Sequence, residues 1–244
     1  MSCKDKVAIV TGAAGAGLGR SIALTLAREG AFVVVNYRSS QESADAIVNH
    51  INRRGGRAMA VRADIFEAEG CQRLVERTQA EFDQVNICII GPGGGWHPEP
   101  IDQLKPEAAM ESIHNETAPI LHLMPLVLPG MYARNWGRVI AIATHPTKLS
   151  PAYTYNLGKA ARVQAMLLAY EQAWSHGVTM NVIAPGPVSG IDSPEAAIEE
   201  SEGGDRWQAR ADVSPQDIAE GVVFLCSEAG RFISGCVLPY LFRW

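Results

Sequence analysis

A phenol and an ammonium stand four residues apart in Tyr155-Asn156-Leu157-Gly158-Lys159. Four apart on a helix means the same face. A tyrosine has an unperturbed pKa of about 10 and exchanges protons poorly near neutrality, but a neighbouring lysine cation favours its phenolate form. Such a pair can serve as an acid–base couple. The competing reading is a half-buried Tyr beside a solvated Lys, so the question becomes what other elements would bring a reacting group to it.

The strongest such element is the glycine-rich turn Thr11-Gly12-Ala13-Ala14-Gly15-Ala16-Gly17-Leu18-Gly19-Arg20, which follows a short apolar strand at residues 6–10. Glycines allow a sharp turn and close approach of a ligand, and the helix that follows points unpaired N–H groups at an anion. Leu18, Ile22 and Leu26 recur at helical spacing, Gly30 closes the helix, and residues 32–35 form a second strand. Strand, glycine turn, helix and strand together form the dinucleotide-binding context, with Gly12, Gly17, Leu18 and Gly19 against the cofactor. The second strand ends in Asn36-Tyr37-Arg38-Ser39, without the acidic residue that accepts hydrogen bonds from an unphosphorylated ribose. Arg38, with Ser39 and Asn36 beside it, instead suits a 2′-phosphate, and NADP(H) is the expected cofactor.

The chain can bury a sizeable core: 244 residues, 47% of them hydrophobic. A length of this order is commonly one α/β domain. Further strands are expected at residues 57–62, 86–90, 138–143, 178–183 and 235–241, alternating with helices. Asp64 and Ile65 follow the third strand, where they could bond and flank an adenine. The fourth is followed by Gly91-Pro92-Gly93-Gly94-Gly95-Trp96, with glycines where a ligand would cross the sheet and Trp96 and His97 at a substrate mouth. A helix from Pro106 should carry Asn115, a poor interior residue that could bond locally or hold a water, and Pro119 should disturb that helix. Thr144 ends the fifth strand, and residues 189–212 read as a lid. The net charge of −5 without a polybasic stretch argues against nucleic acid. No apolar run is long enough for a membrane span and no signal peptide is evident, so a soluble, cytoplasmic protein is expected. Five cysteines without C-x-x-C spacing read as reduced core thiols, and His97, His114, His122 and His145 lack partners at metal-ligand spacing, so no metal is expected.

Taken in order, the glycine turn, Asp64, Asn115, the strand ending in Thr144, Tyr155 with Lys159, and Pro185-Gly186 resemble the short-chain dehydrogenase/reductase family nearly end to end. The stretches 135–140 and 181–186 are similar to those of carbonyl reductases like 3-oxoacyl-carrier-protein reductase. The resemblance implies a single-domain, doubly wound Rossmann-type α/β fold with about seven parallel strands, and usually a homotetramer. It implies catalysis by Tyr155 as proton donor, Lys159 as its modulator and ribose ligand, Thr144 as donor to the substrate oxygen, and Asn115 as holder of a relay water. It adds Gly91, Gly93, Pro185, Gly186 and Val188 to the cofactor contacts. The substrate would be a small carbonyl compound or secondary alcohol.

The chain also departs from the family pattern. The glycine turn carries an extra residue, Ile90-Gly91-Pro92-Gly93 replaces an Asn-Asn-Ala-Gly motif and so removes side-chain support of the neighbouring helix, and Thr144 stands in place of Ser. The loop before Tyr155 is shortened, and the chain ends in Pro239-Tyr240-Leu241-Phe242-Arg243-Trp244 rather than Asp-Gly-Gly. Two other functions fit parts of the pattern: a cofactor-independent lyase or dehalogenase, against which Gly12, Gly17 and Gly19 argue, and a non-catalytic NADP-binding sensor, against which the intact Tyr155 and Lys159 argue.

Overall fold

The computed structural model describes residues 3–96, 99–144, 152–186, 188, 190–203 and 213–240. Seven strands, β1 (Val7–Val10), β2 (Phe32–Tyr37), β3 (Arg57–Arg62), β4 (Ile87–Ile90), β5 (Gly137–Ile142), β6 (Val178–Pro185) and β7 (Val237–Tyr240), form one sheet in the order β3-β2-β1-β4-β5-β6-β7. Every pairing is parallel. The helices are α1 (Gly19–Arg28), α2 (Gln41–Arg53), α3 (Ala68–Phe82), α4 (Pro106–Ala133), α5 (Tyr153–Trp174), α6 (Pro194–Glu202) and α7 (Pro215–Cys226).

β1, β4, β5 and β6 are buried along their whole lengths, which is why they lack the alternation of a half-exposed strand. Their side chains still alternate between two cores. Ala8, Val10, Ile89 and Ile140 pack with Ile22, Leu26, Ile47, Val222 and Leu225 of α1, α2 and α7. Val7, Ile9, Cys88, Ile90 and Val139 pack with Leu74, Ile120, Leu123 and Met166 of α3, α4 and α5. Helices thus cover both faces, the doubly wound arrangement. Of the five cysteines, Cys3, Cys71, Cys88 and Cys226 are buried free thiols and Cys236 is half-buried.

The order in which strands are added across the sheet reverses between β1 and β4, where β2 and β3 lie to one side and β5 to β7 to the other. Ligands of open parallel sheets bind at the carboxyl ends of strands beside such a switch point. Pro239 lies in the edge strand β7, where a missing ladder donor is tolerated.

α4 differs from expectation. It continues through Pro119, Pro125 and Pro129 as one helix. Each proline removes a helical N–H donor, yet the helix is held between α3 and α5, with Ile120, Leu123, Val127 and Met131 buried against the sheet. Tertiary burial outweighs the local penalty. Among the described residues no helix is long and apolar enough to cross a membrane.

Candidate active site

The glycine turn is built by a few specific contacts. Gly12 has φ +62°, and a Cβ there would run into the Pro92 ring. Its N–H donates to Asn36 Oδ1 at 3.1 Å, and Ala13 N–H donates to the Asn36 carbonyl at 2.9 Å. Asn36 Nδ2 in turn donates to the carbonyls of Val61 and Ala63. Asn36 therefore clamps the turn to the ends of β2 and β3, its polar atoms satisfied within the protein. Thr11 ties β1 to β4: its hydroxyl donates to the Ile89 carbonyl at 2.9 Å and accepts from Gly91 N–H at 2.9 Å. A Cβ on Gly19 would lie 2.7 Å from the Gly12 carbonyl oxygen, whereas one on Gly17 would meet nothing within 4 Å. One glycine is required by the chain's own packing; the other leaves space open.

That space is part of a cavity of about 960 Å³ along the carboxyl ends of the strands. Arg38, Ser39, Asp64 and Ile65 line one end, Gly12, Gly17, Leu18, Gly19, Gly91 and Gly93 the middle, and Thr144, Tyr155, Lys159, Pro185, Gly186 and Val188 the other. Arg38 is well exposed, with its guanidinium 3.7 Å from Asp64 Oδ2. An ion pair this open to water constrains the guanidinium weakly, so a bound anion can compete for it. The second Asp64 oxygen accepts from Phe66 N–H at 3.1 Å.

At the other end Tyr155 and Lys159 share a face of α5, with Lys159 Nζ 5.4 Å from the centre of the phenol ring. Trp96 meets the same ring edge-on at 5.0 Å. Thr144 Oγ1 donates to the Pro185 carbonyl at 3.1 Å. The lysine was expected to lower the tyrosine's pKa, and the structure differs. Burial pushes Tyr155 above its ordinary value and the Glu116 carboxylate adds to this, opposed by hydrogen bonding with Thr144 and by the Arg162 guanidinium. Lys159 Nζ is drawn to Glu116 Oε1, 2.9 Å away. Its own pKa is lowered by burial and by Arg162, against the pull of Glu116.

Glu116 and Arg162 escaped the sequence reading. Asn115, expected to hold the relay water, is half-buried on α4 and does not line the cavity; Glu116, the next residue, faces α5. A signal was available: Ser112, Glu116, Ile120, Leu123, Val127 and Met131 continue one buried helical stripe, and a carboxylate on it requires a cationic partner. That partner is Arg162, itself fully buried, with Nε 2.7 Å from Glu116 Oε2. Its guanidinium also donates to the carbonyls of Gly91 and Ile142, both at 2.9 Å, and of Pro92. The support expected to be lost with the Asn-Asn-Ala-Gly motif is supplied by an arginine from α5. His97, His145 and most of the loop before Tyr155 lie outside the described residues, as do residues 189 and 204–212 of the expected lid and the tail from Leu241. The described part of that lid segment includes α6, which packs on α1 and α2.

An elongated cavity with a sterically open glycine turn at its centre, a guanidinium at one end and a Tyr–Lys pair at the other fits an extended dinucleotide. The short chain dehydrogenase family model matches residues 6–199. The 7alpha-hydroxysteroid dehydrogenase of Escherichia coli K12 is 32% identical over 242 residues, covering 96% of this chain and 91% of the relative. A solved 7 alpha-hydroxysteroid dehydrogenase in complex with NADH and 7-oxo glycochenodeoxycholic acid superposes with a TM-score of 0.83 at 27% identity, over 98% of this chain and 94% of the other. L-sorbose reductase from Gluconobacter frateurii, in complex with NADPH and L-sorbose, gives 0.84 at 25% identity, over 98% and 96%. With the fold, the cavity and these matches in agreement, the chain belongs to the short-chain dehydrogenase/reductase family of oxidoreductases, which bind a nicotinamide cofactor.

Proposed function

We propose that the protein is an NADPH-dependent carbonyl reductase, acting in reverse as a secondary alcohol dehydrogenase, with Tyr155 as the proton donor. One observation carries this reading: the Arg38 guanidinium and the Tyr155–Lys159 pair line opposite ends of one cavity whose centre is the glycine turn. The bound nicotinamide would supply hydride to the carbonyl carbon. Negative charge then develops on the substrate oxygen, and the Tyr155 hydroxyl delivers a proton to it. Thr144, by rotation of its hydroxyl away from the Pro185 carbonyl, donates a hydrogen bond to the same oxygen. Lys159 would hold the nicotinamide ribose; Gly17 and Leu18 would face the pyrophosphate, and Arg38 with Ser39 the 2′-phosphate. Asp64 and Ile65 fit the adenine, while Gly91, Gly93, Pro185, Gly186 and Val188 form the walls between.

Trp96 beside the Tyr155 ring supports an apolar or planar substrate, and residues 189–212 would close over it as a lid on a single 244-residue domain. A soluble cytoplasmic homotetramer is the form in which we expect the enzyme to work. The test follows NADPH absorbance against a panel of ketones, ketoesters, quinones and cyclic imines, with NADPH and NADH affinities measured by calorimetry. Reduction of at least one carbonyl class with tighter NADPH binding is expected. Equal affinities would remove the role given to Arg38. Tight NADPH binding without reduction of any carbonyl would favour the sensor reading instead.

A further inference from the structure

Behind the Tyr155–Lys159 pair, and joined to it through Lys159, lie two fully buried charges, Glu116 and Arg162, that the proposed reaction does not use. Glu116 of α4 has no exposed surface, and its two oxygens point to different cations of α5: Oε1 to Lys159 Nζ at 2.9 Å, Oε2 to Arg162 Nε at 2.7 Å. The two helices can approach this closely because residue 158 is glycine; a Cβ there would lie 3.0 Å from both Glu116 Cγ and Ser112 Oγ. Gly93 is equally constrained, since a Cβ at that position would enter the Glu116 carboxylate. The cluster is thus enclosed by α4, α5 and the glycine loop after β4.

A buried carboxylate between two cations costs several kcal/mol of desolvation per ion, and a purely structural core would fill the same volume more cheaply with apolar side chains. Its placement suggests a different purpose. Without Glu116, Lys159 would carry its charge in a buried site beside the fixed charge of Arg162, and both influences lower its pKa. We propose that Glu116 is a positioning residue of the acid–base centre: paired to Arg162, it fixes the direction of the Lys159 ammonium and sets, through its negative charge, how readily the Tyr155 phenol gives up its proton. Arg162 has the complementary task. By donating to the carbonyls of Ile142, Gly91 and Pro92 it locks the ends of β5 and β4 to the carboxylate, so cavity wall and acid–base pair share one anchor. The inference rests on Tyr155 being the proton donor.

Among the described residues, the charged and polar groups facing this centre are Glu116 and Ser112 from α4, Arg162 and Lys159 from α5, Thr144 after β5 and Trp96 from the loop beyond β4. Of these, Glu116 is the charged group that opposes ionisation of Tyr155, and Arg162 the one that favours it. With Lys159 still protonated, removing the carboxylate charge moves the phenol's titration to lower pH.

The experiment titrates phenolate absorbance of the parent and of Glu116→Gln, each against its own Tyr155→Phe counterpart, which isolates Tyr155 among the six tyrosines. Neither cofactor nor substrate is needed, so the result is separate from the fate of the reductase reading. Glu116→Gln should titrate at lower pH than the parent, and Glu116→Asp, which retains the charge, should stay near it. If Glu116 merely fills space, the order reverses: glutamine, of the same size, would resemble the parent and the shorter aspartate would depart from it. Glu116→Gln leaves Arg162 buried without its counter-ion, so the double variant Glu116→Gln/Arg162→Met removes both charges and is measured beside it. Its titration should still move to lower pH, by less, because the carboxylate outweighs the guanidinium at the phenol. A Tyr155 titration superimposable on the parent's in either folded variant overturns the proposal, as does failure of both to fold, which would assign the cluster to stability. Where a carbonyl substrate is reduced, the pH–rate profile of the reverse oxidation should shift in the same direction as the titration.

Discussion

Chemistry at the reacting oxygen comes down to single hydroxyls. Thr144 keeps the donor of a serine while its methyl restricts χ1. Thr144→Ser should therefore retain most activity, while Thr144→Ala lowers kcat on the order of 10²- to 10³-fold, the usual consequence of removing one such donor, with NADPH affinity unchanged. Steady-state kinetics with the best substrate of the panel checks this, and an alanine variant as active as the parent would remove Thr144 from the mechanism. Tyr155→Phe should be more severe, because the ring still packs against Trp96 but carries no proton. At the far end of the cavity, a charge-assisted guanidinium–phosphate contact is worth about 1.5 to 3 kcal/mol. Arg38→Ala should thus weaken NADPH roughly 10- to 150-fold and leave NADH nearly untouched, read by calorimetry. Loss of the Asp64 pair should have little effect on stability, since both side chains are solvent-accessible.

At the scale of elements, the glycine turn separates two jobs that look identical along the chain. Gly17 has open space where a side chain would go, and Gly19 has the Gly12 carbonyl and the Ala13 Cα within 2.8 Å. Gly17→Ala should melt at the parent temperature yet bind NADPH about tenfold or more weakly, because the added methyl enters ligand space. Gly19→Ala should instead lose roughly 1 to 3 kcal/mol of stability by overpacking, a drop of roughly 2 to 12 °C in Tm for a chain of this size. Thermal melts with and without NADPH separate the two. Equal melting losses would mean that Gly17, too, serves the fold.

For the molecule as a whole, burial of thiols makes alkaline pH destabilising. Burial pushes Cys3 up to about 11 and Cys71 and Cys88 up to about 12, from an ordinary value of 9.0. Between those limits the unfolded chain has released protons that the folded chain still holds, so the stability present below pH 9 is lost as pH rises through the folded values. The loss is at most about 1.4 kcal/mol per thiol per pH unit. Melting temperature should be level from pH 7 to 8.5 and fall above pH 9, and Cys71→Ala should blunt the fall. Assembly is the other property of this scale. Leu121 of α4 and Leu168 of α5 are 63% and 68% exposed, and Met110 and Trp174 are also open on these helices. Exposed large apolar side chains on these two helices and symmetric closure support the proposed tetramer. Light scattering at micromolar concentration should give four times the 26.3 kDa chain mass, and Leu121→Glu with Leu168→Glu should reduce it. A monomeric parent would refute that assembly.

Local pattern was sufficient for everything that depends on neighbours in sequence. The apolar runs of β1, β4, β5 and β6, the glycine turn before α1, and the Tyr155–Lys159 spacing on α5 were all legible, because buried parallel strands and helix faces have fixed periods. From these the order of elements along the chain follows, while the doubly wound sheet is expected from the resemblance to the family. Local rules also misjudged α4: proline chemistry at Pro119 predicts a disturbed helix, and packing between α3 and α5 overrules it. What only tertiary structure decided is which side chains from distant segments meet. Asn115 and Glu116 are adjacent in sequence but point about 100° apart on a helix, so a one-residue difference selects which of them faces Lys159. Arg162 reaches carbonyls 71 and 70 residues away at Gly91 and Pro92, and the charge on Glu116 matters to Tyr155 only because Gly158 lets two helices close together. Electrostatics of this kind depends on distance through space and on exclusion of water, neither of which is written in the spacing of residues along the chain.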